Sequence, residues 1–222
     1  MRPGAAADDA GRIDWHARIT ARLGGSAPAH EIEEWRVSGL GAELSAKLRE
    51  FYPTRLVPAA VLVPLIERPE GLTVLLTQRA THLKNHAGQI SFPGGRMEAQ
   101  DANPLATALR ETEEEIGLGR ELVTVAGYLP DHVIVSGYRV TPVVGFVRDA
   151  FSLDLDVTEV QSTFEVPLSY IFDPANHVRR RRAFGELELE LTDIPFGGRN
   201  IWGATAGMLL TFYRMVALEA PP

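Results

Sequence analysis

From residue 55 onward the chain alternates between dense apolar runs and short polar breaks. "LVPAAVLVPLIE" and "LTVLLTQR" are aliphatic and β-branched, and "RPEG" separates them, which predicts a strand, a turn and a strand. "SFPGGRMEAQDANP" carries turn residues throughout and predicts a loop. At its end Asn103 suits a helix N-cap and Pro104 the first helical position. That helix is predicted to run to about Ile116, where Gly117 supplies the stop. Further strands are predicted at "LVTVAGYL", "YRVTPVVGFV" and "STFEVPL". "HVRRRRAF" and "ELELELTDI" predict a strand pair with "FGEL" at the turn, and "GATAGMLLTFYRMVALE" a last helix. Strands outnumber helices, and helices lie between and after them. The expected class is an α/β or α+β sandwich.

Before residue 55 the pattern is weaker. Residues 1–10 are small and polar and are expected to be disordered. "IDWHARITARL" (13–23) has apolar residues at helical spacing, "GGSAPAHE" reads as a linker, and "GAELSAKLREF" (41–51) predicts a second short helix. The expected organisation is an N-terminal arm with short helices over residues 1–52, set against the main domain or a partner subunit, and one domain over residues 53–222.

Composition narrows the classes. The chain has 222 residues, 45% hydrophobic and 23% charged, an ordinary soluble balance with enough length for a sizeable core. The net charge of -7 argues against a partner such as nucleic acid or an anionic membrane surface. There is no cysteine, which excludes disulfides, zinc–thiolate sites and cysteine nucleophiles. No apolar run approaches the ~18 residues that a membrane span needs. "MRPGAAADDAGRID" lacks an apolar core for a secretory signal, so a cytoplasmic location is expected.

The predicted helix carries the candidate chemistry. "RETEEEIGL" (110–118) puts four glutamates into five consecutive positions. At about 100° per residue, Leu105, Leu109, Thr112 and Ile116 fall within an arc of roughly 60° and form the sheet-facing stripe. Glu111 and Glu115 lie about 40° apart on the same count, with Glu114 adjoining, so the three carboxylates share a face turned away from that stripe. Glu113 falls elsewhere and is expected to be solvated. Arg110 is four residues before Glu114 and can pair with it. Three converging carboxylates raise one another's pKa, and a hard divalent cation reverses that cost. A charged surface helix is the plainer alternative. "FPGG" (92–95) lies just upstream, and paired glycines let the backbone approach a ligand closely.

Taken together, "GRMEAQDANPLATALRETEEEIGL" resembles the Nudix box, G-x5-E-x7-R-E-U-x-E-E-x-G-U, where U is a bulky aliphatic residue. Gly95, Arg110, Glu111, Glu114, Glu115, Gly117 and Leu118 match it. Asp101 stands where the box has Glu, eight residues rather than seven separate it from Arg110, and Thr112 replaces the aliphatic residue. Upstream, "LLTQRATHLKNHAGQISFPGG" (75–95) resembles the segment L-L-T-x-R-[SA]-x3-R-x3-G-x3-F-P-G-G of the coenzyme A diphosphatase branch, which also tends to have the longer box. Lys84 replaces the second arginine, which keeps the charge and loses bidentate geometry.

The resemblance implies a Nudix-type α/β/α sandwich with a mixed sheet. It implies a pyrophosphatase that hydrolyses coenzyme A or acyl-coenzyme A to 3′,5′-ADP and 4′-phosphopantetheine, using Mg²⁺ or Mn²⁺. It makes Glu111, Glu115, Glu114 and the Gly95 carbonyl the expected metal ligands, with Glu114 alternatively activating water and Arg110 orienting Glu114. Arg79, Lys84 and His86 become expected contacts for the substrate's 3′-phosphate. Gly94, Gly95 and Tyr138 are expected at the substrate; strand alternation allows only one of Tyr138 and Arg139 to face it. Glu159 is an outside candidate for the base, against an ordinary surface glutamate. "RRRR" (179–182) reads as a solvated strand edge, and Trp202 as core or dimer packing rather than adenine stacking. A homodimer is also implied. The alternatives are a Nudix enzyme acting on ADP-ribose, dinucleotides or nucleoside triphosphates, and a non-catalytic nucleotide-binding regulator.

Overall fold

The computed structural model describes residues 13–28, 55–83, 86–134, 136–148, 151–184 and 187–218. The second short helix expected at 41–51, Lys84 and the tip of the "FGEL" turn lie outside them.

Strand β1 (Val57–Arg68) is the spine of the molecule. Its alternate residues feed two cores: Ala59, Val63 and Leu65 pack on one side, Ala60, Leu62 and Ile66 on the other. A strand buried on both faces reads as one continuous apolar run, as this one does. It pairs antiparallel with β2 (Gly71–Arg79) and, at its other end, with the short β4 (Gly94–Arg96). Its other edge pairs in parallel with β7 (Tyr138–Val147). β3 (Ile90–Ser91), β5 (Val123–Tyr128), β6 (His132–Val133) and β8 (Val160–Pro167) complete a mixed eight-stranded sheet. β9 (Val178–Phe184), β10 (Leu187–Phe196) and β11 (Arg199–Ile201) form a second, antiparallel sheet.

Helices cover both faces of the large sheet, so the fold is an α/β sandwich with helices on each side. α2 (Pro104–Ile116) lies on one face, where Ala108 and Ile116 pack among Leu62, Ile66 and Val143. Its ends are as expected: the Asn103 side chain accepts the Ala106 N–H, Pro104 opens the first turn, and Gly117 closes the helix at φ 69°. On the other face lie α1 (Trp15–Leu23), the short α3 (Leu168–Ile171) and α4 (Gly203–Val216). α1 is built into the core: Ile19 and Leu23 are fully buried, and Arg18 donates to the carbonyls of Val216 and Ala217 at 2.7 and 2.9 Å.

Two local expectations change. "SFPGGRMEAQDANP" is not all loop, because Ser91 ends β3 and Gly94–Arg96 pair with β1 as β4. The arginine run is not simply a solvated edge. Arg180 and Arg182, on one side of β9, both reach the fully buried Asp193, at 3.3 and 2.6 Å. Arg179 pairs with Glu190.

Candidate functional site

The site forms where α2 meets β4. α2 packs against one face of the sheet, and the Glu111 carboxylate lies against β4 in the space left because Gly95 carries no side chain. A Cβ at Gly95 would stand 2.5 Å from the Glu111 carboxyl carbon. A Cβ at Gly94, where φ is +146°, would stand 2.5 Å from the Cα of Val61. Side chains at these positions would collide with the carboxylate or the strand, so glycine is required at both.

Glu115 is 5% exposed and accepts one backbone hydrogen bond, from the Gly94 N–H at 3.1 Å. Arg79 Nη1 stands 3.8 Å from its other oxygen. These partners do not offset burial, and the Glu115 carboxyl is pushed up to about 7 by desolvation, with the charges of Glu159 and Glu111 adding to the rise. Glu111 is also raised, chiefly by desolvation and only partly opposed by Arg110.

Asp101 sits beside this pair in a different environment. Arg110 grips it through two hydrogen bonds, Nε to Oδ1 at 3.0 Å and Nη2 to Oδ2 at 2.9 Å. The Glu98 N–H and the Thr107 hydroxyl add two more. The Arg110 bonds hold the Asp101 carboxyl far below the usual carboxylate range, and the same bonds push the guanidinium up. Arg110 also meets Glu111 at 3.0 Å, Glu114 at 2.9 Å and the Arg96 carbonyl at 3.2 Å. It ties the loop before α2 to the helix.

Glu111, Glu115, Gly94, Gly95, Arg79, His86 and Tyr138 line one cavity of about 580 Å³. Glu159 lines it too, and the loop that carries it is tied to the residue after Arg79 by a hydrogen bond from the Ala80 N–H to the Glu159 carbonyl, at 2.8 Å. Tyr138 faces the cavity while Arg139 pairs with Asp131, as alternation along β7 requires.

The shared face of three carboxylates needs correction. Glu114 is 60% exposed, turns outward to Arg110 and does not line the cavity. Neighbouring helix residues point about 100° apart, so Glu114 and Glu115 cannot aim the same way. Nor does Glu115 turn away from the packed side, because β4 covers that flank of α2. Among the described residues no three His, Cys, Asp or Glu side chains form a ready-made cation cage. Glu113 is paired with Arg120 at 2.8 Å. Trp202 is a wall of the cavity, with the Arg182 guanidinium 4.3 Å from its ring centroid.

Sequence reasoning missed two features. The tight grip of Asp101 on Arg110 was signalled only by an acid at the box position. The apolar cavity wall from Leu189, Leu191 and Met208 had no local signal, since alternation alone does not say what a strand face meets.

Residues 56–191 match the NUDIX domain family. A protein described as the uncharacterized Nudix hydrolase NudL, from Escherichia coli strain K12, is 40% identical over 156 residues, 68% of this chain and 78% of NudL. Among solved structures, a C. elegans Ap4A hydrolase aligns with a TM-score of 0.44 at 20% identity, over 50% of this chain and 80% of its own. A MutT/nudix family protein from Enterococcus faecalis aligns with a TM-score of 0.47 at 17% identity, over 74% and 63%. Among the described residues no helix is long and apolar enough to cross a membrane. On the matched domain and the identity to NudL, the chain belongs to the Nudix hydrolase family.

Proposed function

We propose that the protein is a divalent-metal-dependent pyrophosphatase that cleaves the diphosphate of coenzyme A or its acyl thioesters into 3′,5′-ADP and 4′-phosphopantetheine or its acyl form. The observation that carries this reading is the nearly buried, under-compensated Glu115 beside Gly94 and Glu111, opening into a cavity that also holds Arg79.

In this reading Glu111, Glu115 and the Gly95 carbonyl would hold Mg²⁺ or Mn²⁺, with Glu114 as a further candidate ligand. The donor set fits: all are oxygens, suited to a hard cation, and the Glu111 carboxylate occupies the space a Cβ on Gly95 would fill. When bound, the metal neutralises diphosphate charge and lowers the pKa of a bound water. Glu114, 2.9 Å from Arg110 and outside the cavity, would have to turn from that partner to serve as a further ligand. Arg110, locked by Asp101, is then a positioning residue for Glu111 and Glu114.

Arg79 donates hydrogen bonds to a phosphoryl oxygen. Its Nε is buried and has no hydrogen-bond partner among the described residues. Lys84 and His86 serve the 3′-phosphate, while Gly94 and Tyr138 lie along the substrate. A water attacks one phosphorus, the bond from that phosphorus to the bridging oxygen breaks, and the bridging oxygen leaves with the other phosphate. Glu159, which lines the same cavity as Glu111 and Glu115, accepts the water's proton. A cytoplasmic homodimer, with the Nudix domain over 53–222 and an arm over 1–52 whose α1 docks into that domain's core, completes the proposal.

The test is to incubate the protein with coenzyme A, ADP-ribose and nucleoside triphosphates in Mg²⁺ or Mn²⁺ and to resolve products by chromatography. Coenzyme A should give 3′,5′-ADP and 4′-phosphopantetheine, and Glu111→Gln and Glu115→Gln should abolish both. Faster cleavage of ADP-ribose than of coenzyme A would overturn the substrate assignment.

A further inference from the structure

The cavity is larger than its acidic end, and its lining is divided. The carboxylates and guanidinium groups that line it, Arg79, Arg96, Glu111, Glu115 and Glu159, come from β2, β4, α2 and the turn before β8. His86, Gln89, Ser91 and Ser136 add polar groups to the lining, and the part that runs over the α4 side of the sheet is mainly apolar. Val61 and Val140 give its floor, and Leu189, Leu191, Trp202 and Met208 its opposite wall. Thr205 is a polar residue of that wall, and its hydroxyl is already bonded to the Ile90 carbonyl at 2.9 Å.

The wall is a built feature. Along β10, Glu188 and Glu190 are exposed while Leu189 is buried and Leu191 half-buried, so one face of the strand is given to the cavity. The Trp202 ring is backed by Arg182, which is held by the fully buried Asp193 at 2.6 Å. Asn200 holds the same Asp193 oxygen at 2.8 Å. Trp202, Ala204 and Met208 also lie beyond residue 191, where the match to the family domain ends.

The phosphates and ribose of a nucleotide diphosphate gain nothing from such a wall, and an adenine ring makes less use of its aliphatic residues Leu189, Leu191 and Met208 than of an aromatic face. The phosphates belong at the charged end, and polar groups pressed against Leu189, Leu191 and Met208 would lose hydration without return. An alkyl chain there gains from every methylene removed from water. We propose that the apolar end is a specificity subsite for an acyl chain on the non-nucleotide half of the substrate, so that acyl thioesters of coenzyme A are preferred over the free thiol. This rests on the coenzyme A reading above.

The test is binding to the full chain in EDTA, where no turnover occurs, by calorimetry. Hexanoyl-coenzyme A should bind about tenfold more tightly than coenzyme A, a discount on the roughly fourfold gain per buried methylene. Leu191→Gln, which makes the wall polar, and Ala204→Phe, which fills the recess, should each cut that ratio below about threefold. Glu190→Gln, on the outer face of β10, should keep it. Equal affinities in the unmodified protein, or a ratio that survives both wall variants, would overturn the proposal. Hexanoyl-pantetheine, which has the chain and no diphosphate, separates this inference from the one it rests on. If it binds in a Leu191-dependent way while coenzyme A is not hydrolysed, the subsite stands and the substrate reading falls. If coenzyme A is hydrolysed and the hexanoyl group adds no affinity, the reverse holds.

Discussion

Asp101, in the loop before α2, and Glu115, in the last turn of that helix, are buried to a similar degree, 9% and 5% exposed. Their electrostatics run in opposite directions. Asp101 is gripped by a guanidinium, an N–H and a hydroxyl, and stays ionised far into acid. Glu115 has one backbone N–H and a guanidinium nitrogen at 3.8 Å, and its carboxyl is pushed up to about 7. The difference separates a carboxylate that completes the fold from one left short of positive charge. In the proposed reading, the second costs stability until a cation offsets its charge.

That contrast can be broken most forcefully at Glu115 itself. Glu115→Gln keeps an oxygen to accept the Gly94 N–H and removes the charge, so hydrolysis should fall about a thousandfold at saturating metal, read from kcat/KM. Asp101→Ala should act on stability instead. It strips Arg110 of its best partner and should cost about 3 kcal/mol in chemical denaturation. Gly95→Ala places a Cβ 2.5 Å from the Glu111 carboxyl carbon and should cost about 2 kcal/mol, with a loss of activity beyond what the folded fraction explains.

The smallest effect is one of pH. Asp101 has a depressed folded pKa, so its contribution is complete above the ordinary value of 3.8 and drains away as pH falls below it. The stability gap between the unmodified protein and Asp101→Asn should therefore be constant from pH 7 to 5 and narrow only below about 3.8. A gap already closing at pH 6 would mean that Asp101 is not the ionised partner of Arg110.

These two carboxylates also mark what could be read from the sequence. α2 was legible to the residue because its signals are local: Asn103 and Pro104 at one end, Gly117 at the other, apolar spacing between. The long strands β1, β2 and β7 were legible from unbroken apolar runs. The Arg110–Glu114 pair followed from spacing alone. The direction of Glu115 did not, because it depends on β4, a three-residue strand hidden in a glycine-rich turn segment. Whether a helix flank is solvent or site is decided by what covers it, and that partner lies about twenty residues away in sequence. The apolar wall lay still further off, on β10 and α4. Its residues read as ordinary core until the fold sets them opposite Val61 and Val140.

The central claim is that Glu115 is a charge held for a cation and not for the fold. The most direct measurement is the melting temperature of the unmodified protein and of Glu115→Gln, each in EDTA and in saturating Mn²⁺. The account predicts that Glu115→Gln melts at the same temperature or higher in EDTA, and that Mn²⁺ raises only the unmodified protein, by the linkage expected of a ligand bound to the folded state. A variant that melts lower in EDTA and still gains from Mn²⁺ as the unmodified protein does would contradict it.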